Sequence, residues 1–165
     1  MARWQDVIDT APEYAQAVQA LFDAGRHKTL ATLRKDGAPR ISGIEAQFAD
    51  GQLWLGMMAN SQKLADVKRD PRIAMHSPST EPPEDPTDSA GWTGDAKLSG
   101  RLVVMDDEMR KAVDPETPNS EQEGPPGDYF TVDIDEVVMT RLGTPADHLD
   151  IVLWRPGQPL KTMRA

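Results

Sequence analysis

Cysteine is absent from the sequence. Disulfides, thiolate zinc ligands and a cysteine nucleophile are therefore excluded, and nothing calls for an oxidising compartment. Aromatic residues are few, four Trp, three Phe and two Tyr, so an aliphatic core is expected. No run approaches the ~18 apolar residues of a membrane-spanning helix. The N-terminal MARWQDVIDTAPEY lacks the basic, apolar and small-residue order of a signal peptide. Together these gaps give the expectation of a cytoplasmic protein with no membrane partner. Walker and Rossmann glycine fingerprints are missing, as is a nucleophile-elbow serine. His27, His76 and His148 have no second ligand at metal-binding spacing, so no metal is expected.

Positive charge is missing locally. The 165 residues carry 18 basic and 27 acidic side chains, a formal charge of −9. Residues 78–92 (PSTEPPEDPTDSAGW) hold four of the acids and residues 114–128 (DPETPNSEQEGPPGD) hold five, with no Lys or Arg in either. The remainder balances at 18 against 18, and the same two stretches contain eight of the 14 prolines. A neutral body with two acidic, proline-rich loop insertions is expected, in one domain over 1–165. With a pI near 4.7, no nucleic-acid partner is expected, because phosphate-backbone binding relies on clustered Lys and Arg.

What is present reads mainly as β structure. Tyr14, Val18, Leu21 and Phe22 recur on one face of a helix from about Pro12 to Ala24, with Thr10 and Glu13 at capping-box spacing. Asp36-Gly37 and Asp50-Gly51 then divide residues 28–58 into a three-stranded meander. In its middle strand Arg40, Ser42, Ile44, Ala46 and Phe48 share one face, and Ile41, Gly43, Glu45 and Gln47 the other. Neither face is purely apolar, so one end of this strand is expected to border a site. Asn60-Ser61 opens a short helix that Pro71 ends, and RIAMHS resumes as a strand. GDAKLSGRLVVM reads as a strand broken at Gly100, followed by a cap at Asp106 or Asp107 and a helical turn through Val113. YFTVDIDEVVMTRLG (with a bend near Asp135), LDIVLWR and a final short strand complete six or seven strands. A mainly antiparallel barrel follows.

The constellation with most chemical content is Asn60-Ser61-Gln62-Lys63. Unpaired N–H groups, a hydroxyl and a lysine at a helix start favour an anion. The plain alternative is a cap with a solvated lysine. Arg40, on the strand before the one that feeds this helix, is placed to join Lys63 on one phosphate; otherwise it is an edge-strand charge. Gly56 and Met57 stand where a strand end would pass a bound ring. Trp154 and Arg164, ten residues apart around Pro156-Gly157, are further candidates, although a Trp so placed also serves as packing. Trp92 would act as a lid over a groove or as an anchor for its loop.

Residues 29–77 (TLATLRKDGAPRISGIEAQFADGQLWLGMMANSQKLADVKRDPRIAMHS) resemble the core of the pyridoxamine 5′-phosphate oxidase-like superfamily, which includes flavin and deazaflavin oxidoreductases. The likeness rests on the D-G turn, P-R, the second D-G turn, the S-x-K helix start and R-D-P-R before the next strand. It implies a six-stranded antiparallel split β-barrel with short flanking helices, forming a homodimer with FMN or the deazaflavin F420 in a groove at the subunit interface. By position, Arg40, Ser61 and Lys63 would hold the cofactor phosphate. Ile41, Ser42, Gly43 and Glu45, with Gly56 and Met57, would line the ring and ribityl chain. Trp154 and Arg164 match a C-terminal Trp and Arg that touch the flavin.

Departures from the pattern narrow the activity. Glu45 stands where those oxidases have Lys, Gln62 where they have Arg, and Leu160 and Thr162 where an R-x-H run holds the substrate phosphate. The resemblance therefore implies a related oxidoreductase acting on a small, unsaturated or aromatic molecule and not a pyridoxamine phosphate oxidase, with the acidic loops discouraging anionic substrates. No residue reads as a catalytic acid or base beyond His76 as a candidate proton donor, since hydride transfer is the cofactor's chemistry. The alternatives are a non-catalytic module holding a flavin or heme-like ligand, and a dimeric scaffold whose acidic loops bind a basic partner.

Overall fold

A computed structural model describes residues 1–81, 84–85, 92–106, 108–109 and 127–165. Two helices come first, α1 (Trp4–Thr10) and α2 (Pro12–Asp23), followed by β1 (His27–Leu33), β2 (Pro39–Ala49) and β3 (Gln52–Met58). Then follow α3 (Gln62–Arg69), β4 (Arg72–His76), β5 (Asp95–Val104), β6 (Gly127–Leu142), β7 (Leu149–Trp154) and β8 (Lys161–Arg164). All strand pairs are antiparallel, in the order β3-β2-β1-β4-β5-β6-β7-β8.

A further pairing, Trp54 with Thr131 through Met58 with Gly127, joins β3 to β6 and closes the first six strands into a barrel. β6 is long enough to serve twice. Residues 127–131 pair with β3, and residues 137–142 continue past the barrel to pair with β7. The expected break at Gly100 and bend at Asp135 are one feature. Ser99 pairs with Glu136 and Gly100 with Ile134, so Asp135 is the bulged residue. A Cβ at Gly100 would lie 2.2 Å from the Asp133 carbonyl oxygen, which explains why glycine occupies the bulge.

Local chemistry accounts for the meander. Asp50 and Gly51 both have positive φ (47° and 68°), the requirement of a two-residue turn whose twist matches its strands. Leu30, Ile44, Leu53, Leu55, Leu98 and Phe130 point into the barrel and are buried. The core is mainly aliphatic, with its rings concentrated under the N-terminal helices.

The structure adds one element and corrects two expectations. α1 was not anticipated, because only Trp4, Val7 and Ile8 are apolar in its seven residues; Trp4 and Val7 are buried, and the Trp4 ring lies 4.6 Å from Phe48. The Thr10–Glu13 capping box does not form. Thr10 ends α1 with its hydroxyl donating to the Asp6 carbonyl, and α2 starts after Ala11 with Pro12 in its first turn. The sheet has eight strands, because the final short segment pairs fully with β7.

Asp106 caps as expected, accepting from the Met109 N–H at 2.8 Å; the helical turn beyond Met109 and almost all of the second acidic stretch lie outside the described residues. In the first stretch Trp92 Nε1 donates to the Thr80 carbonyl at 3.1 Å, which ties the two ends of that excursion together.

Tyr14 fastens α2 to the sheet. Its hydroxyl lies 2.9 Å from the Val137 carbonyl and 3.2 Å from that of Val152, bridging β6 and β7. Burial, reinforced by the negative charge of Glu136, pushes the phenol above its ordinary range, so it remains a neutral donor. Tyr14→Phe is expected to lower stability by about 1 kcal/mol in a urea titration, with the slope of the transition unchanged.

Candidate functional site

The middle strand of the meander changes partner along its length. β2 pairs with β1 from Pro39 to Glu45, but with β3 only from Ala46 to Ala49. Beyond the Ala46–Leu55 pair the two strands diverge, leaving Arg40 to Glu45 on one side and Gly56 to Met58 on the other as the walls of a split. Lys63 Nζ donates to the Gly43 carbonyl at 2.6 Å, so that carbonyl faces the split and not β1. By the alternation of an antiparallel strand, the main-chain groups of Ile41 and Glu45 face the same way. The wall is open at Gly43, where a Cβ would meet nothing within 4 Å.

α3 covers one end of the split. Ser61 caps it, accepting from the Leu64 N–H at 3.3 Å, while its own hydroxyl proton stays available to an anion. Gln62 and Lys63 form the first turn. Burial lowers the Lys63 ammonium below the ordinary lysine value, an environment in which a nearby anion would be welcome.

Arg40 is held by a residue that local sequence reasoning missed. Its Nε donates to Asp66 Oδ2 at 2.6 Å, and the Thr32 hydroxyl donates to the same oxygen at 3.0 Å. Arg69 Nη2 reaches Asp66 Oδ1 at 3.1 Å and also donates to the Leu33 carbonyl. Burial alone would raise the Asp66 carboxyl, but the hydrogen bonds from Arg40, Arg69 and Thr32 outweigh it and hold the carboxyl below its ordinary value. With its Nε committed to Asp66, Arg40 borders an open cleft of about 560 Å³ that Arg34, Lys35, Gln62 and Arg69 also line. Four cations, Arg34, Lys35, Arg40 and Arg69, line the cleft against two carboxylates, Asp36 and Asp66, so it carries excess positive charge.

The fold thus brings together Arg40, Ile41, Ser42, Gly43, Ser61, Gln62 and Lys63, with Gly56 across the split. Met57 joins only through its backbone, since its side chain is buried in the barrel. Glu45 lies at the other end of the same wall, its carboxylate 3.0 Å from Arg26 Nε and 3.5 Å from His27 Nε2. Trp154 does not reach the split in this chain. It is 2% exposed, and its Nε1 donates to the Thr10 hydroxyl at 2.8 Å, so it is a packing residue. Arg164 is exposed on the outermost strand and pairs by register with Asp150.

The histidines lie apart from the split, except that His27 flanks Glu45. His76 Nδ1 is 2.7 Å from the Ser77 carbonyl, and its Nε2 is 3.9 Å from Asp95. His148 sits between Asp147 and Asp150, two carboxylates that the spacing argument overlooked. Among the described residues, no group of three or more His, Asp and Glu is placed to hold a metal. Nor is any helix long and apolar enough to cross a membrane.

A sequence profile of the family described as pyridoxamine 5′-phosphate oxidase matches residues 14–140, from α2 through most of β6. No curated protein sequence matches the chain. Among solved structures, a pyridoxamine 5′-phosphate oxidase-related, FMN binding protein from Nostoc punctiforme PCC 73102 is 15% identical, with a TM-score of 0.61 over 100% of this chain and 97% of that one. PhzG from Burkholderia lata 383, solved with tetrahydrophenazine-1-carboxylic acid, is 13% identical, with a TM-score of 0.61 over 93% and 88%. A heme binding protein from Mycobacterium smegmatis is 18% identical, with a TM-score of 0.51 over 82% and 56%. At these identities the likeness is one of fold.

Proposed function

The chain belongs to the pyridoxamine 5′-phosphate oxidase family, and from that premise we propose that it is an oxidoreductase binding FMN or F420 in the split between β2 and β3 and acting on a small organic molecule. The observation that carries this reading is the open main-chain edge of β2 with α3 beside it, where Lys63 of the first turn donates to the Gly43 carbonyl and Asp66 holds Arg40. That donor set fits a phosphate joined to a long polar chain and a flat ring. Arg40, Ser61, Gln62 and Lys63 would hold the phosphate. The main-chain groups of Ile41, Gly43 and Glu45, with Ser42 beside them and Gly56 and Met57 opposite, would run along the rest.

When bound, a cofactor of this class supplies hydride transfer. The chain's own part is to place the ring and exclude water. The whole of 1–165 is read as one such domain, working as a homodimer. Ile41 and Met58, on either wall of the split and 75% and 61% exposed, support a second copy covering it. The substrate is not a vitamin phosphate, because Leu160 and Thr162 offer no cation for it.

Titration of the purified chain with FMN and with F420, followed by absorbance and thermal shift, tests the reading. One of them is expected to bind, and Lys63→Ala is expected to weaken it about 10- to 100-fold, as loss of one charge-assisted hydrogen bond implies. No spectral change and no thermal shift with either cofactor would end the proposal. A cofactor that binds and is reduced, yet passes electrons to no acceptor, would assign a non-catalytic binding module instead.

A further inference from the structure

Among the described residues two charged side chains are buried, and they are treated oppositely. Asp66 has three side-chain partners. Lys28, 6% exposed, has one hydrogen bond, from Nζ to the Arg26 carbonyl at 3.2 Å. No carboxylate among the described residues pairs with it, and the nearest acidic strand neighbour, Glu45, is committed to Arg26 and His27. One neutral acceptor leaves two N–H donors of the ammonium, which only water or a ligand in the adjoining cleft can meet.

The surroundings supply the space. Lys28 shares the inner face of β1 with Leu30 and Thr32, at the opposite end of the strand from Asp66. There it lines an open cleft of about 650 Å³ with Asp23, Arg26, Glu45, Gln47 and Phe48. That volume is within the ~300–1,000 Å³ usual for small-molecule sites. Phe48 and Ala46 give the cleft an apolar side. With Glu45 paired to Arg26, Lys28 is the cation left to meet an anion, and Asp23 in the same lining disfavours a second negative charge such as that of a phosphate dianion.

We infer that this cleft binds the carboxylate of a small, partly apolar organic acid, with Lys28 Nζ as its partner. Glu45 lies five residues from Arg40 along β2, about 17 Å at the rise of a strand. If the cofactor phosphate sits at Arg40, as proposed above, the cleft lies at the far end, where the ring would be, and the acid is the substrate; that assignment rests on the proposed function. The substrate charge is then opposite to what the acidic loop insertions suggest.

The test uses the full chain without added cofactor and benzoate as the probe, with benzamide and inorganic phosphate as controls. In heteronuclear NMR titrations benzoate is expected to shift amides confined to 23–28 and 45–48, and benzamide and phosphate to shift them at least tenfold less. Lys28→Met, which keeps the length of the side chain without its charge, is expected to reduce benzoate affinity at least tenfold while the melting temperature is kept or raised. Benzoate shifts elsewhere, phosphate binding as well as benzoate, or undiminished binding by folded Lys28→Met would each overturn the inference. The wild-type shift map decides the matter even where the variant does not fold. Benzoate binding without cofactor binding would leave the cleft established and the oxidoreductase reading in doubt; the reverse result would do the opposite.

Discussion

Trp154→Ala is expected to destabilise the protein by about 3–5 kcal/mol while leaving the cofactor affinity of the folded molecules unchanged. The indole is almost wholly enclosed, stands beside Val137 in the β6–β7 ladder, and reaches across to the end of α1 through its bond to Thr10. Truncation removes a large buried surface and a hydrogen bond together, and the two strands that hold the indole are too regular to collapse into the gap. Trp154→Phe should recover part of the loss by refilling the space without the donor. Urea titration measures the first effect and cofactor titration the second. Near-normal stability with lost cofactor binding would restore Trp154 as a cofactor contact, as the family resemblance implied.

The interval from Trp154 to Arg164 matches a pattern, but an interval does not say which way a side chain points. The meander, by contrast, was legible because its information is local. Asp36-Gly37 and Asp50-Gly51 fix the turns, and the alternation between them fixes the faces. The mixed character of β2 gave the expectation that one end borders a site, and the Arg40-to-Glu45 half is the part that has no pairing with β3.

What the sequence did not disclose depends on groups far apart in the chain. Asp66 meets Arg40 across 26 residues and Thr32 across 34. Read alone, it is one more polar residue in a short helix. Its position between Leu64 and Val67, both buried, was the available hint that it faces inward. Lys28 was likewise hidden in plain alternation. It precedes Leu30 and Thr32 at two-residue spacing, so a strict reading of β1 places it inside the barrel. α1 escaped because its stability comes from packing Trp4 against Phe48 and not from its own seven residues.

Asp66→Asn is the second large effect, about 3 kcal/mol at neutral pH. That is the low end of the ~3–5 kcal/mol for breaking a buried ion pair, because Arg40 and Arg69 keep some access to water. The folded-state carboxyl titrates below its ordinary value, so the charged form is the one the fold stabilises. Its contribution is fully present above the unfolded value, near pH 4, and is lost as the pH falls through the lower folded-state value. The stability gap between wild type and Asp66→Asn should therefore be constant from about pH 5 to 8 and shrink on further acidification. Denaturant melts at pH 7, 5, 4 and 3 measure it, and an undiminished gap at pH 3 would remove the titration of Asp66 as its source. The same substitution reaches the site. Asp66 holds Arg40 by Nε beside the cleft that Arg40 and Gln62 line, so Asp66→Asn should also weaken cofactor binding at pH 7, where Lys63→Ala does so without moving the acid limb of the stability curve.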